Sequence, residues 1–195
     1  MELRLLGCLI EKQLTTPDQY PLSLNALRLA ANQSTNRDPV VDYDDGEIRA
    51  ALERLGNRGW TRLASGPSSR AAKFRHLLDE ALHLTPAQTA VLAVLMLRGP
   101  QTSAELRARS ERLHSFASAE VVAAELITLA ERDLVQRLPR RPGEREERWT
   151  QLLGEADGLV DTAPSVTGAD PADARLVELE RRLARVEERL EAAGL

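Results

Sequence analysis

Two stretches of the chain repeat one order of signals, and that repetition limits the possible folds more than any single motif does. Within residues 1–83, three helical patterns are followed by two short strand-like runs, and the same order returns within residues 84–153. Leu52, Leu55, Arg58 and Trp60 correspond to Leu126, Leu129, Arg132 and Leu134 at one constant offset, and Leu77 and Leu78 to Leu152 and Leu153 at an offset one residue longer. Two copies of one small domain are the economical reading.

In the first copy, residues 2–14 place Leu3, Leu6 and Ile10 on one helical face and end in the TTPDQYP loop. A second helix runs from about Ser23 to Gln33, and the polar segment NQSTNRDPVVDYDD leads to a third. There Asp44 and Glu47 form a capping box, Ile48, Ala51, Leu52 and Leu55 form the buried stripe, and Gly59 ends the helix. The strand-like runs WTRLA and AAKFRHL flank the turn-forming SGPSSR. In the second copy, Thr85, Pro86 and Gln88 open a helix that Gly99-Pro100 closes, and Thr102 and Glu105 cap the next. A third runs from about Ser118 to Arg132, and LVQRLP and ERWTQLL flank an Arg-Pro-Gly corner.

Three helices and a hairpin in this order predict a mainly α fold with small β-hairpins (α+β), built as two tandem winged helix-turn-helix domains over residues 1–83 and 84–153. A Gly/Pro/Ala/Asp-rich linker covers residues 154–170. Residues 171–195 then read as an amphipathic, coiled-coil-like C-terminal helix, with Leu176, Leu179, Leu183, Val186 and Leu190 at alternating spacings of three and four. Those positions are candidate interface residues, for pairing in a dimer or for docking on the body of the chain, and a homodimer is expected.

At 195 residues, with 43% hydrophobic and 29% charged, the chain can bury a sizeable core. Its longest apolar run, AVLAVLML from Ala90 to Leu97, is far short of the roughly 20 residues that a membrane span needs. With no basic-then-apolar leader, the expected location is the cytoplasm, with no membrane partner. The single cysteine, Cys8, lies in an apolar helical pattern and reads as an inert buried thiol. The formal net charge of -4 is unevenly placed: Lys/Arg against Asp/Glu number 11 and 11 over residues 1–83, 10 and 9 over 84–153, and 5 and 10 over 154–195. The acidity therefore belongs to the C-terminal tail and does not exclude a nucleic-acid partner.

The stretches LGCLIEKQLTTPDQYPLSLNAL, ANQSTNRDPV, LRGPQTSAELRARSERLHSFA and LPRRPGEREERWTQLLG closely resemble the YceH-like bacterial family across residues 2–155. The resemblance implies two tandem winged-helix domains, in agreement with the repeat, but supplies no activity. Ala31 stands where the family pattern leads one to expect cysteine, and Ser34 where it leads one to expect lysine, which removes a possible phosphate contact.

Candidate nucleic-acid contacts follow from charge. The first hairpin carries Arg62, Arg70, Lys73 and Arg75 with no acidic residue between Trp60 and Leu78. A strand centred on Phe74 turns that ring inward and sets Lys73 and Arg75 outward, toward phosphates. The second hairpin carries Arg137, Arg140, Arg141, Arg145 and Arg148 diluted by Glu144, Glu146 and Glu147, with Trp149 as its core anchor. For both hairpins the alternative is a solvated charged edge. On the first third helix, Arg49, Arg54, Asn57 and Arg58 reach toward bases, opposed by Glu47 and Glu53. The second third helix is apolar around much of its girth. Val121, Ala124 and Ile127 on it, like the apolar helix at Ala90–Leu97, are expected at a domain or subunit interface.

Sites for chemistry are weak. Asp42, Asp44 and Glu53 match three positions of a calcium-loop template, but Glu47 stands where the template needs glycine, so helix capping is the better reading. His76, His83 and His114 lack cysteine partners and ligand spacing, and read as surface or loop histidines. NQSTNR has hydroxyls without a recognisable base, and no phosphate-binding Gly-rich motif occurs. No enzyme, metal or cofactor is expected. The leading expectation is a DNA-binding, regulator-like protein. The alternative is an adaptor whose winged helices bind a protein partner, resembling in architecture the segregation and condensation protein B.

Overall fold

The computed structural model describes residues 1–64, 71–140, 143 and 146–154. Arg70, Arg141, Arg145 and the heptad positions Leu176, Leu179, Leu183, Val186 and Leu190 lie outside them, as do the expected linker and C-terminal helix. The fold is mixed α/β, mostly helical with small antiparallel sheets. In order come α1 (Glu2–Thr15), a 3-10 turn (Pro17–Gln19), β1 (Leu22–Ser23), α2 (Leu24–Ala31), α3 (Asp45–Asn57), β2 (Thr61–Leu63), β3 (Lys73–His76) and α4 (Leu78–Leu82). There follow α5 (Pro86–Arg98), α6 (Ser103–Ser110), α7 (Ala119–Ala130), β4 (Val135–Leu138) and β5 (Arg148–Gln151).

Local chemistry sets the helix starts. Asp44 with Glu47, Thr85 with Gln88 and Thr102 with Glu105 each close a reciprocal capping box, which satisfies two orphan amides at the start of each of α3, α5 and α6. Ser23 accepts from the Ala26 amide at the start of α2.

The repeat extends to individual hydrogen bonds. The Trp60 amide donates to the Leu55 carbonyl and Trp60 accepts from the Leu77 amide; Leu134 makes the equivalent bonds to Leu129 and from Leu152. Between helix and strand the chain passes through positive φ at Gly59 (73°) and Asp133 (54°). Asp133 adopts the left-handed conformation that an aspartate tolerates better than most residues. β3 is the central strand of the first sheet, between β1 and β2. In the second copy the strand equivalent to β1 shrinks to one bridge, Gln101 to Trp149, beside the β4-β5 pair. The bridge occupies the same place as the pairing of Leu22 with Phe74.

One continuous core runs through both copies, crossing the expected boundary at residues 83–84. The cause is α1 against α5. Gly7 sits so close to α5 that a Cβ there would lie 2.9 Å from Leu97 Cγ and 3.2 Å from Met96 Cβ. The stripe expected on α1 is thereby corrected: Leu6 and Ile10 are buried and Leu3 only partly, while Arg4, Leu5, Cys8 and Leu9 are buried too. A helix packed by α2 and α3 and also by α5 needs more than one apolar face. Likewise α5 is buried continuously from Gln88 to Leu97, so its apolar girth is used inside the chain. Cys8 is fully buried, and burial pushes its thiol up to about 11.

The segment between α2 and α3 is held by two buried arginines. The Arg37 guanidinium donates to the Ala30 carbonyl (3.0 Å), the Asn36 carbonyl (2.9 Å), the Gln33 side chain (3.0 Å) and the Glu11 carboxylate (2.5 and 3.3 Å). Burial, the largest single influence, works against its charge, but Glu11 and Cys8 together outweigh it and the net direction is a raised pKa. Arg4 donates to the carbonyls of Ala31 (3.4 Å) and Pro39 (2.8 Å). The Asp38 amide donates to the Leu97 carbonyl, tying the same segment to α5.

Candidate nucleic-acid interface

The first hairpin grows directly from α3 through the Gly59 turn, and β-strand alternation sorts its side chains. Thr61 faces His76, Arg62 faces Arg75 and Leu63 faces Phe74 across the two strands. Thr61 and His76 are buried and Phe74 packs against the core, so Arg62, Arg75 and, two residues from Arg75, Lys73 share the outward face. The expected inward Phe74 and outward Lys73 and Arg75 are what the strand shows. Arg62 and Lys73 are exposed and make no ion pair among the described residues. Arg75 is half-buried and paired with Glu80, which relieves the repulsion between two arginines placed directly opposite.

The α3 candidates are all exposed but differ in their partners. Arg49 and Asn57 point into solvent from the helix. Arg54 is held by the Glu2 carboxylate from α1. Arg58 lies over the Trp60 ring at 5.4 Å, a cation-π contact that fixes its guanidinium at the foot of the hairpin. Arg28, which sequence reasoning passed over, pairs with Asp45 at 3.0 Å and so neutralises part of the acidic start of α3. The pair joins side chains 17 residues apart on different helices, and no local pattern announces it.

The second hairpin is more occupied with itself. Arg137 pairs with Glu147 at 2.9 Å and lies over the buried Trp149 ring at 5.4 Å. Arg148 pairs with Glu105 at 3.1 Å and donates to the Pro100 carbonyl. Arg140 is exposed. Of the interface candidates on α7, Val121, Ala124 and Ile127 are exposed, whereas Val122, Leu126 and Leu129 enter the core.

A model of the family described as "Protein of unknown function, DUF480" matches residues 1–144. The chain belongs to that family. The match covers the first copy and the second as far as residue 144, short of β5. Similar full-length relatives, each called a UPF0502 protein, come from Pseudomonas savastanoi pv. phaseolicola (47% identical over 196 residues, 97% of this chain and 88% of the relative) and Geotalea uraniireducens (47% over 190, 96% and 85%). A third, from Shewanella amazonensis, is 44% identical over 199 residues, 98% of this chain and 95% of the relative. For this member of DUF480, no helix among the described residues is long and apolar enough to cross a membrane. Among the same residues no group of three metal-ligating side chains forms, and Asp44 is engaged in its capping box.

His76 corrects the reading of the histidines as surface or loop residues. It lies on β3, buried, because it alternates with the outward Arg75. Its amide donates to the Tyr20 hydroxyl at 2.8 Å, and its Nδ1, 3.5 Å from Asp79, makes no hydrogen bond. Burial holds its pKa below the ordinary value of 6.5, with Asp79 opposing the shift. The folded state therefore resists a proton that the unfolded chain accepts, so stability present above 6.5 is lost as pH falls below it. The urea midpoint should drop between about pH 7.5 and about pH 5.5, and His76→Gln should flatten that drop. An equal drop in the variant would place the titrating group elsewhere.

Proposed function

We propose that this protein is a non-enzymatic, tandem winged-helix DNA-binding protein, regulator-like, acting as a cytoplasmic homodimer with no cofactor. In this reading α1, α2 and α3 with the β2-β3 hairpin are one winged-helix domain, and α5, α6 and α7 with β4-β5 are the other. The resemblance to the YceH-like family, with its expected tandem architecture, runs in the same direction. The observation that carries the reading is the outward face of the first hairpin, where Arg62, Lys73 and Arg75 stand together beyond α3, two of the three without an ion pair among the described residues. Phosphates are the ligand such a face suits, since a duplex offers evenly spaced negative charge and an exposed cation gains by releasing its counterions. The first copy takes the larger share of binding because the second hairpin's Arg137 and Arg148 already hold carboxylates.

A titration of the full chain against random duplex DNA at two salt concentrations tests this. Binding should weaken as salt rises, and substituting Arg62, Lys73 and Arg75 together by alanine should lower the slope of log K against log salt by about one per lost contact. Substitution of Arg137 and Arg140 should lower it less. Unchanged retention after the triple substitution would refute the assignment.

A further inference from the structure

The hydrogen bonds shared by the two copies place α3 and α7 in one register, in which Leu52 and Leu55 fall on Leu126 and Leu129, all buried. The same register sets Val121 where α3 has Glu47, Ala124 where it has Ala50, and Ile127 where it has Glu53. The α3 residues at those positions, two glutamates and an alanine, are exposed. Their α7 counterparts stay exposed although they are apolar, Val121 at 43% and Ile127 at 51%. Core packing therefore does not explain the change, because the core-facing positions are the other ones. A valine and an isoleucine aligned with Ala124 at spacings of three make an apolar strip along one helix face.

The rim of that strip is acidic. Glu120 and Glu131 are exposed at its two ends, and Asp133 follows beyond the helix. Of the nearby cations, Arg132 donates to the Leu82 carbonyl and Arg107, beside Glu120, to the Phe116 carbonyl at 3.2 Å, and neither is ion-paired to a rim carboxylate among the described residues. A duplex would meet carboxylates here and find no use for the apolar strip. A second α7 laid antiparallel would set Glu120 against Glu131 and repel.

We infer that the outer face of α7 docks a basic amphipathic helix of a partner protein, one with an apolar stripe flanked by Lys or Arg. The apolar stripe would cover Val121, Ala124 and Ile127, and the flanking cations would pair with Glu120 and Glu131. This goes beyond DNA binding by the first copy: the second copy holds a protein where the first would hold a nucleic acid.

Two synthetic 18-residue helices provide the test, each with the same leucine stripe, one flanked by lysines and the other by glutamates. Fluorescence anisotropy with the full chain should show the lysine-flanked helix binding with a Kd of about 10 μM, weakening with salt, and the glutamate-flanked helix binding at least about 100-fold more weakly. The variant Val121→Glu/Ile127→Glu, which installs the α3 residues at exposed positions, should keep its melting profile and lose about tenfold or more in affinity. Equal binding of both helices, or binding untouched by the double substitution, overturns the inference. A shift of the wild-type dimer to monomer on that substitution, seen by sedimentation, also overturns it, by assigning the face to a second copy. Loss of DNA binding in the Arg62, Lys73 and Arg75 variant, with peptide binding intact, keeps the two readings separate.

Discussion

Arg37→Met should lower the unfolding free energy by about 3–5 kcal/mol, read as a fall in the urea midpoint at unchanged slope. The side chain of Arg37 is fully buried, and its partner Glu11 is only 15% exposed. Removing the guanidinium leaves a carboxylate facing low-dielectric surroundings with its bidentate partner gone. It also strips donors from the Ala30 and Asn36 carbonyls and from Gln33. The double substitution Arg37→Met with Glu11→Leu should recover part of the loss, since removing both charges ends the desolvation penalty while the two carbonyls stay unserved. Failure of the second substitution to recover anything would mean that the hydrogen bonds, and not the ion pair, dominate. The segment held by Arg37 also binds the Leu97 carbonyl through Asp38, so loosening it should be felt at α5.

Leu92→Ala should cost about 2–5 kcal/mol, the range for deleting three carbons from a core that collapses only partly. Leu92 is fully buried at the middle of α5, which touches α1 on one side and α6 and α7 on the other. The form of the transition is as informative as its midpoint. With one core through both copies, circular dichroism and tryptophan fluorescence should report a single unfolding step in the variant as in the parent, although Trp60 lies in the first copy and Trp149 in the second. Two separated steps would show that the copies unfold independently.

The parts of the fold legible in the sequence are those governed by residues near one another. The capping boxes at Asp44, Thr85 and Thr102 depend on side chains three positions apart, and the positions predicted are the ones that form. The hairpin strands follow from alternation, including the outward Lys73 and Arg75. Illegible were features set by distant partners. β1 is two residues long and exists because β3 lies alongside, so no periodicity marks it. Arg37 reads as one more residue of a polar loop until Glu11, 26 positions earlier, is brought against it. The candidate interface was legible as charge but not as availability. Arg54, Arg75 and Arg137 count equally with Arg62 and Lys73 in the sequence, and only the fold reveals that Glu2, Glu80 and Glu147 hold them.

The close seating of Gly7 against Leu97 bears on how such a gene can change. A fragment ending at His83 would leave that glycine facing water, and one starting at Leu84 would expose the side of α5 that packs on α1. Neither half is a portable module that recombination can lend to another protein. Deletion of one half should therefore destabilise the other, and the repeat read in the sequence is held together by the α1–α5 pair at its centre.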